Sequence, residues 1–295
     1  MSFEAAVANS QQYTDNVRFL LQQNGSKLRK AVMEGSYTGK AAKAVEQIGA
    51  VEAEDRTTRH DDTPLISTPH DARWVYPIDS RWADLIDDED KLRQLAKMDS
   101  PYAENGARAY GRKIDQRIIE AFFGDSRTGE NGTTVTVFPT DNSQTVLANV
   151  GAGSDTGLNI AKLRAAKKVL MANEVDIDSD PLYVAITAEQ HDDLLNETQA
   201  ISLDFNTKPV LVDGKISSFM GFEFIHSEKL GLSGSNRQCP CWAKSGMPLG
   251  VWNDVTTRIT ERSDKNHATQ VFVTGTFGAT RTEEKKVVEI LCAES

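Results

Sequence analysis

The stretch S-P-Y-A-E-N-G-A-R-A-Y-G-R-K-I-D-Q-R-I-I-E-A-F-F-G, residues 100–124, decides how the rest of the chain is read. Its ends carry helix punctuation. Asp99 or Ser100 can cap the start, and Pro101 suits the first helical position, where its missing N–H would have no partner. Gly124 terminates the run. Between them Ala103, Ala107, Tyr110, Ile114, Ile118, Ala121 and Phe122 recur at spacings of three and four, the pattern of one apolar helix face. The opposite face carries Glu104, Arg108, Arg112, Lys113, Asp115, Arg117 and Glu120. Glu104 stands four residues before Arg108, the favourable order for a helical ion pair. This is a long amphipathic helix that needs an apolar surface to lie on. Function has to be sought in what surrounds it.

On its N-terminal side the chain is irregular. Residues 1–35 suggest one or two short helices, with Tyr13, Val17, Leu20 and Leu21 on one face, a break at Gly25, and Leu28 with Val32 beyond it. Residues 36–88 hold no helical stripe. They contain the polar, proline-bearing run R-T-T-R-H-D-D-T-P-L-I-S-T-P-H-D, with short strands expected near residues 44–53 and 72–78. So long a segment with so little regular structure is unusual inside a compact domain. It reads as an extended hairpin or loop that finds its partners elsewhere. Residues 84–98 read as a short amphipathic helix built on Leu85, Leu92, Leu95 and Met98.

On the C-terminal side, G-D-S-R-T-G-E-N-G is a turn leading into a strand at residues 133–138. Residues 146–156 read as a flexible linker. Residues 158–175 form a second helix, with Ile160, Leu163, Ala166, Val169 and Leu170 on one face. A buried strand from Pro181 and a helix capped by Thr187 follow. Asp213-Gly214 is a strong hairpin turn, and residues 222–226 form a further strand. The tail is β-rich, in runs beginning near Trp252, Gln270 and Lys286. There is no internal repeat. The mixed order gives an α+β class.

The totals bound the function. The chain has 295 residues, 39% hydrophobic and 26% charged, enough for one large domain or two modest ones. No apolar run approaches the roughly 18 residues of a membrane span, and the N-terminus lacks a signal-peptide pattern. Three cysteines make no disulfide framework. The net charge of −10 argues against a protein that grips nucleic acid through a basic patch.

No motif carries chemistry. Cys239-Pro-Cys241 has half the ligands of a zinc site and reads as ordinary thiols. His60, His70, His191, His226 and His267 are scattered, without a nucleophile signature beside them. The glycine-rich turn lacks the G-K-[ST] ending of a phosphate loop and follows a helix instead of preceding one. Asp87, Asp88, Glu89 and Asp90 fit a helix N-terminus better than a cation site. The basic residues of the long helix are balanced by acids on the same helix, so they suit a solvated or subunit-contacting face better than DNA. The expectation is a non-enzyme with no catalytic, cofactor-binding or metal residues and no cofactor.

The order of segments carries a resemblance. H-D-A-R-W-V at 70–75, W-A-D-L-I-D-D-E-D-K at 82–91 and Y-G-R-K-I-D-Q-R-I-I-E-A-F-F-G at 110–124 are followed by L-V-D-G-K-I-S-S-F-M-G-F-E-F-I-H-S at 211–227. I-T-E-R-S-D-K at 259–265 and F-G-A-T-R-T-E-E-K-K-V-V-E-I at 277–290 complete the series. Taken in this order, the chain resembles the major capsid proteins of tailed bacteriophages with the Hong Kong 97-type fold. Residues 1–60 match only in general character.

The resemblance implies an N-terminal arm at 1–35, an extended loop at 36–88 that reaches over a neighbouring subunit, and a peripheral domain at 89–180 with the long helix as its spine. It further implies an axial domain at 181–250, and strands at 251–295 returning to the peripheral domain. The implied function is an icosahedral shell around a phage DNA genome. Its implied partners are copies of itself in pentamers and hexamers, scaffolding, decoration and portal proteins, and double-stranded DNA bound without sequence specificity. The implied location is the virion capsid, after synthesis in the bacterial host cytoplasm and with no membrane. Some members of that group cross-link a lysine to an asparagine; Lys40 and Lys43 read as ordinary solvated lysines. The rival readings are an encapsulin-like shell around a protein cargo and an acidic soluble hydrolase.

Overall fold

A computed structural model describes residues 22–55, 58–59, 65–87, 99–197, 211–212 and 215–294. Two compact units account for them. One draws its described residues from 22–26, 79–87, 99–113 and 253–276; the other draws them from 27–78, 114–252 and 277–294.

The long helix runs Asp99–Phe123 and carries the chain from the first unit into the second. In the first unit its glycines do the packing. A Cβ on Gly106 would fall 2.6 Å from Trp82 and 2.7 Å from Val273, and one on Gly111 would fall 2.3 Å from the backbone of Gly25. Two residues that weaken a helix therefore let other segments lie against it. The Tyr110 hydroxyl donates to the Gly275 carbonyl at 2.9 Å and also reaches the Ser80 carbonyl. These contacts are made by the strands Ala268–Ala279 and Ile78–Ile86.

The stripe differs from the sequence expectation at two positions. Ala107 is exposed, and Asp115, expected on the charged face, is fully buried. Asp115 is an anchor: its carboxylate accepts from the backbone N–H groups of Lys27, at 3.0 Å, and Leu28, at 3.1 Å. Leu28 and Val32 are buried, but the segment is a single 3-10 turn, Arg29–Ala31, followed by the strand Met33–Ser36. Tyr13, Val17, Leu20 and Leu21 lie outside the described residues. The helix expected over 84–98 begins wrongly, because residues 84–86 end the strand Ile78–Ile86. Leu92, Leu95 and Met98 lie outside the described residues.

The second unit is centred on a seven-stranded sheet. Its order is Ser218–Phe219, Phe222–His226, Leu182–Ile186, Asn236–Ala243, Val287–Ala293 and Thr145–Val146, with Leu232–Ser233 paired to Asn236–Ala243. Val184, Ile186, Cys241, Trp242, Val288 and Ile290 are all buried. Near-continuous burial along a strand is what a sheet covered on both faces requires. The end of the long helix joins this core, with the Phe122 ring 4.6 Å from that of Trp242.

The second helix is Ile160–Ala172, capped by the Asn159 side chain, which accepts from the Lys162 N–H at 2.8 Å. Glu174 takes a left-handed φ of 59° just past its end. Lys162 is fully buried, and its ammonium donates to the carbonyls of Thr156, Gly157 and Leu291 at 2.6, 2.8 and 3.0 Å. Burial pushes its pKa down.

The expected linker at 146–156 is a folded loop. Val146 and Ala148 are buried, Thr156 N–H donates to Ala148 O at 3.0 Å, and the Asn159 amide donates to Val150 O at 3.0 Å. The Thr187 cap is present as a capping box with Gln190. Leu211–Val212 and Lys215–Ile216 pair antiparallel around Asp213-Gly214, which itself lies outside the described residues.

Two further sheets complete the architecture. One has the order Met33–Ser36, Pro248–Arg262, Ala268–Ala279, Ile78–Ile86. The other has the order Ala42–Ile48, His70–Val75, Ser126–Thr128, Thr134–Thr136.

Candidate assembly surface at the root of an extended hairpin

The strands Ala42–Ile48 and His70–Val75 pair antiparallel, with a bulge between Lys43 and Val45. Gly49 N–H donates to Pro69 O at 2.8 Å and closes the ladder. Beyond that bond, residues 50–55 and 65–69 are exposed throughout, and Leu65 is 100% exposed.

Side chains alternate across this sheet. Arg73 and Thr128 lie in one register row and are buried; Lys43, Trp74, Arg127 and Val135 lie in the next. The inner row holds the hairpin to the body of its unit. Arg73 donates two hydrogen bonds to Glu284, at 2.9 and 2.8 Å. Gln47 donates to the Thr282 carbonyl at 2.8 Å and accepts from Arg73 at 3.4 Å. Arg281 is fully buried beside them, 3.7 Å from Glu284. Its Nη1 reaches the carbonyls of Ala121 (3.2 Å), Phe122 (3.0 Å) and Gly124, which are the open acceptors at the end of the long helix. Burial pushes the Arg281 pKa down, and the Glu284 carboxylate opposes that shift.

The outer row is aromatic and cationic. Trp74 Nε1–H donates to Gly129 O at 2.7 Å, and the Tyr76 hydroxyl donates to Gly132 O at 3.2 Å. Gly129 and Gly132 have left-handed φ values of 87° and 67°, and a Cβ on Gly132 would strike both rings. The glycine-rich turn is thus a seat for two aromatic side chains. Lys43 lies 3.4 Å from Glu46 and 5.6 Å from the Trp74 ring centre. Lys40 is exposed.

The remaining candidates stay apart. His70 is exposed near Asp71, His191 accepts from the Ile216 N–H at 3.3 Å, His226 meets Glu228 at 2.6 Å, and His267 meets Glu261 at 2.5 Å. His60 lies outside the described residues. Cys239, Cys241 and Cys292 are buried, unpaired thiols. The Cys292 sulfur and burial raise the Cys239 pKa, and burial alone raises that of Cys241. Among the described residues no group of three or more His, Cys, Asp or Glu side chains is placed to hold a metal. Asp88, Glu89 and Asp90 lie outside them. The cations of the long helix have local partners: Arg108 with Glu104 at 2.6 Å, Arg112 with Gln22 at 2.8 Å, and Arg117 with Glu120 at 3.2 Å. Sequence reasoning missed Arg73, Arg281 and Glu284, because Arg73 meets Glu284, and Arg281 meets the carbonyls at the end of the long helix, only from far away along the chain.

Residues 5–294 match the family described as "Phage capsid protein". No curated protein matches the sequence. Among solved structures, the capsid of cyanophage P-SCSP1u is similar at a TM-score of 0.76 and 15% identity, over 98% of this chain and 94% of that one. Mycobacterium phage Che8 gives 0.70 and 15%, over 96% and 97%. The capsid of an empty GTA particle gives 0.65 and 12%, over 99% and 98%. These likenesses give the fold. With the family match over nearly the whole sequence and the Hong Kong 97-type architecture, the chain belongs to the phage capsid protein family, as a major capsid protein.

Proposed function

We propose that this chain is the repeating subunit of an icosahedral shell, arranged in pentamers and hexamers around a double-stranded DNA genome. The observation that carries this reading is the hairpin. Its root is fixed by buried ion pairs, while its described outer residues are exposed and include the wholly uncovered Leu65. A segment built this way contributes nothing to its own core. It gains its burial from a neighbour, and many such contacts together give collective stability. The net charge of −10 suits a wall along which packed DNA slides. Scaffolding, decoration and portal proteins are the other partners this role calls for, with synthesis in the host cytoplasm before assembly. No described helix is long and apolar enough to cross a membrane.

The test replaces residues 50–68 with a two-residue turn that keeps the Gly49–Pro69 bond. The expected result is a folded subunit, by circular dichroism and cooperative unfolding, that no longer forms particles by electron microscopy. Particles of normal yield would refute the role of the hairpin. The encapsulin-like alternative is separated by particle contents: nuclease-protected DNA for a virion shell, a protein cargo for the other. The hydrolase alternative predicts only small oligomers in size-exclusion chromatography.

A further inference from the structure

We infer that Asn24 is a site of spontaneous modification. The Gly25 amide closes on the Asn24 side chain as a succinimide, and the isoaspartate that follows frees residues 22–23 from the long helix. The inference does not depend on the shell reading.

The chemistry needs only water. The Gly25 nitrogen attacks the Asn24 side-chain carbonyl carbon and forms a new carbon–nitrogen bond. The bond to the side-chain nitrogen breaks, and that nitrogen leaves as ammonia with the Gly25 proton. Water then opens the ring at either carbonyl. One opening gives aspartate. The other gives isoaspartate, in which the main chain runs through the side-chain carbons and is one carbon longer. Either product adds a negative charge. This reactivity is part of what makes asparagine a thermolabile residue.

Asn–Gly pairs occur at 24–25, 105–106 and 131–132. All three asparagines are exposed, and a following glycine puts no side chain in the way of attack. The backbone amides separate them. Gly106 is inside the helix Asp99–Phe123, so its N–H is committed to the carbonyl four residues back. The Asn105 side chain is held as well, accepting from Gln22 Nε2 at 3.0 Å. Gly132 N–H donates to Gly129 O at 3.3 Å, and its own carbonyl accepts from Tyr76. The Gly25 N–H and the Asn24 side chain make no hydrogen bond among the described residues. Asn24 lies in no helix or strand, so its backbone is free to turn the side chain onto the Gly25 nitrogen.

The consequence follows from what fixes the chain on each side. A Cβ on Gly111 would fall 2.3 Å from the Gly25 carbonyl carbon, so the backbone at Gly25 already lies against the helix. Beyond it, the Lys27 and Leu28 amides are anchored on Asp115. An added backbone carbon at position 24 is therefore taken up before it, by residues 22–23. Gln22 accepts from Arg112 at 2.8 Å and donates to Asn105, and the Gln23 side chain reaches across the site to Gly25 O at 2.8 Å. These are the contacts that isoaspartate displaces.

The test uses full-length subunits aged in mildly alkaline buffer, with peptide mapping by mass spectrometry and isoaspartyl methyltransferase labelling. Isoaspartate should accumulate at Asn24 at least tenfold faster than at Asn105, with Asn131 between them. No isoaspartate at Asn24, or an equal or higher rate at Asn105 or Asn131, would overturn the inference. The release is read by phenylglyoxal modification of Arg112. It should rise at least threefold on ageing of the wild-type chain and stay constant in Asn24→Gln aged alongside. An Arg112 reactivity that stays flat in aged wild type, or rises equally in the variant, would refute the release. Neither measurement needs a particle, so failure here is distinct from failure of the shell reading.

Discussion

Replacing Glu284 by Gln tests whether the hairpin is held by charge or by shape. The carboxylate receives two hydrogen bonds from Arg73 and lies 3.7 Å from Arg281. The side chains are 8% exposed for Arg73, 16% for Glu284 and 0% for Arg281. Removing one member of a buried ion pair costs about 3–5 kcal/mol, because the partner charge stays buried. Glutamine keeps one acceptor for Arg73, so the lower end applies, about 3 kcal/mol or roughly a hundredfold in the folding equilibrium. The assay is urea unfolding of dispersed subunits followed by tryptophan fluorescence. Amide exchange over residues 42–48 and 70–75 runs in parallel and should accelerate more than exchange in the seven-stranded sheet. Glu284→Asp keeps the charge and should lose less. Arg73→Met in the Glu284→Gln background should be less costly than the sum of the two changes, with a coupling of at least about 1 kcal/mol. A loss below about 1 kcal/mol for Glu284→Gln, or simple additivity, would refute the claim that this carboxylate pins the hairpin.

Three other outcomes are expected. Ile118→Asp places a charge at a fully buried position of the long helix and should abolish soluble folded subunit; normal particle yield would contradict the assigned face. The three thiols should react with a chromogenic disulfide reagent only after denaturation, since all are fully buried; reaction of any one in native protein would show an opening near the sheet. Glu294 has its pKa lowered, chiefly by the Arg237 hydrogen bonds at 2.7 and 2.6 Å. A depressed folded pKa means stability that is present above the unfolded value, about 4.3, and lost as pH falls through the folded one. The gap in urea midpoint between wild type and Glu294→Gln should therefore be constant near neutrality and close as the pH drops below about 4; a constant gap down to pH 2 would refute the pairing.

What could be read in the sequence was local. The long helix ends within one residue of its expected bounds because capping and periodicity are properties of adjacent residues. The Thr187 cap and the strands flanking Asp213-Gly214 follow the same rule. The errors came where distant partners decide. Asp115 has the spacing of a solvated acid, but two backbone amides from residues 27 and 28 take it inward. Residues 84–86 carry a helical pattern and are held in a strand that ends in the buried Ile86. Gly106 and Gly111 were the visible signal left unused, since a glycine kept inside a helix implies a close neighbour. Lys162, Arg73, Arg281 and Glu284 gave no signal, because an ionic side chain reads as surface until its partner is located.

Arg281 closes the last turn of the long helix from far along the chain, and Val287–Ala293 lies between two other strands of the central sheet. Both contributions come late in synthesis. A chain cut before residue 281 lacks both: the carbonyls at the end of the long helix lose their Arg281 donor, and Thr145–Val146 loses the strand that joins it to the rest of the sheet. The last fifteen residues are therefore an interior part of the fold, so their loss is felt at the centre of the unit and not at its edge.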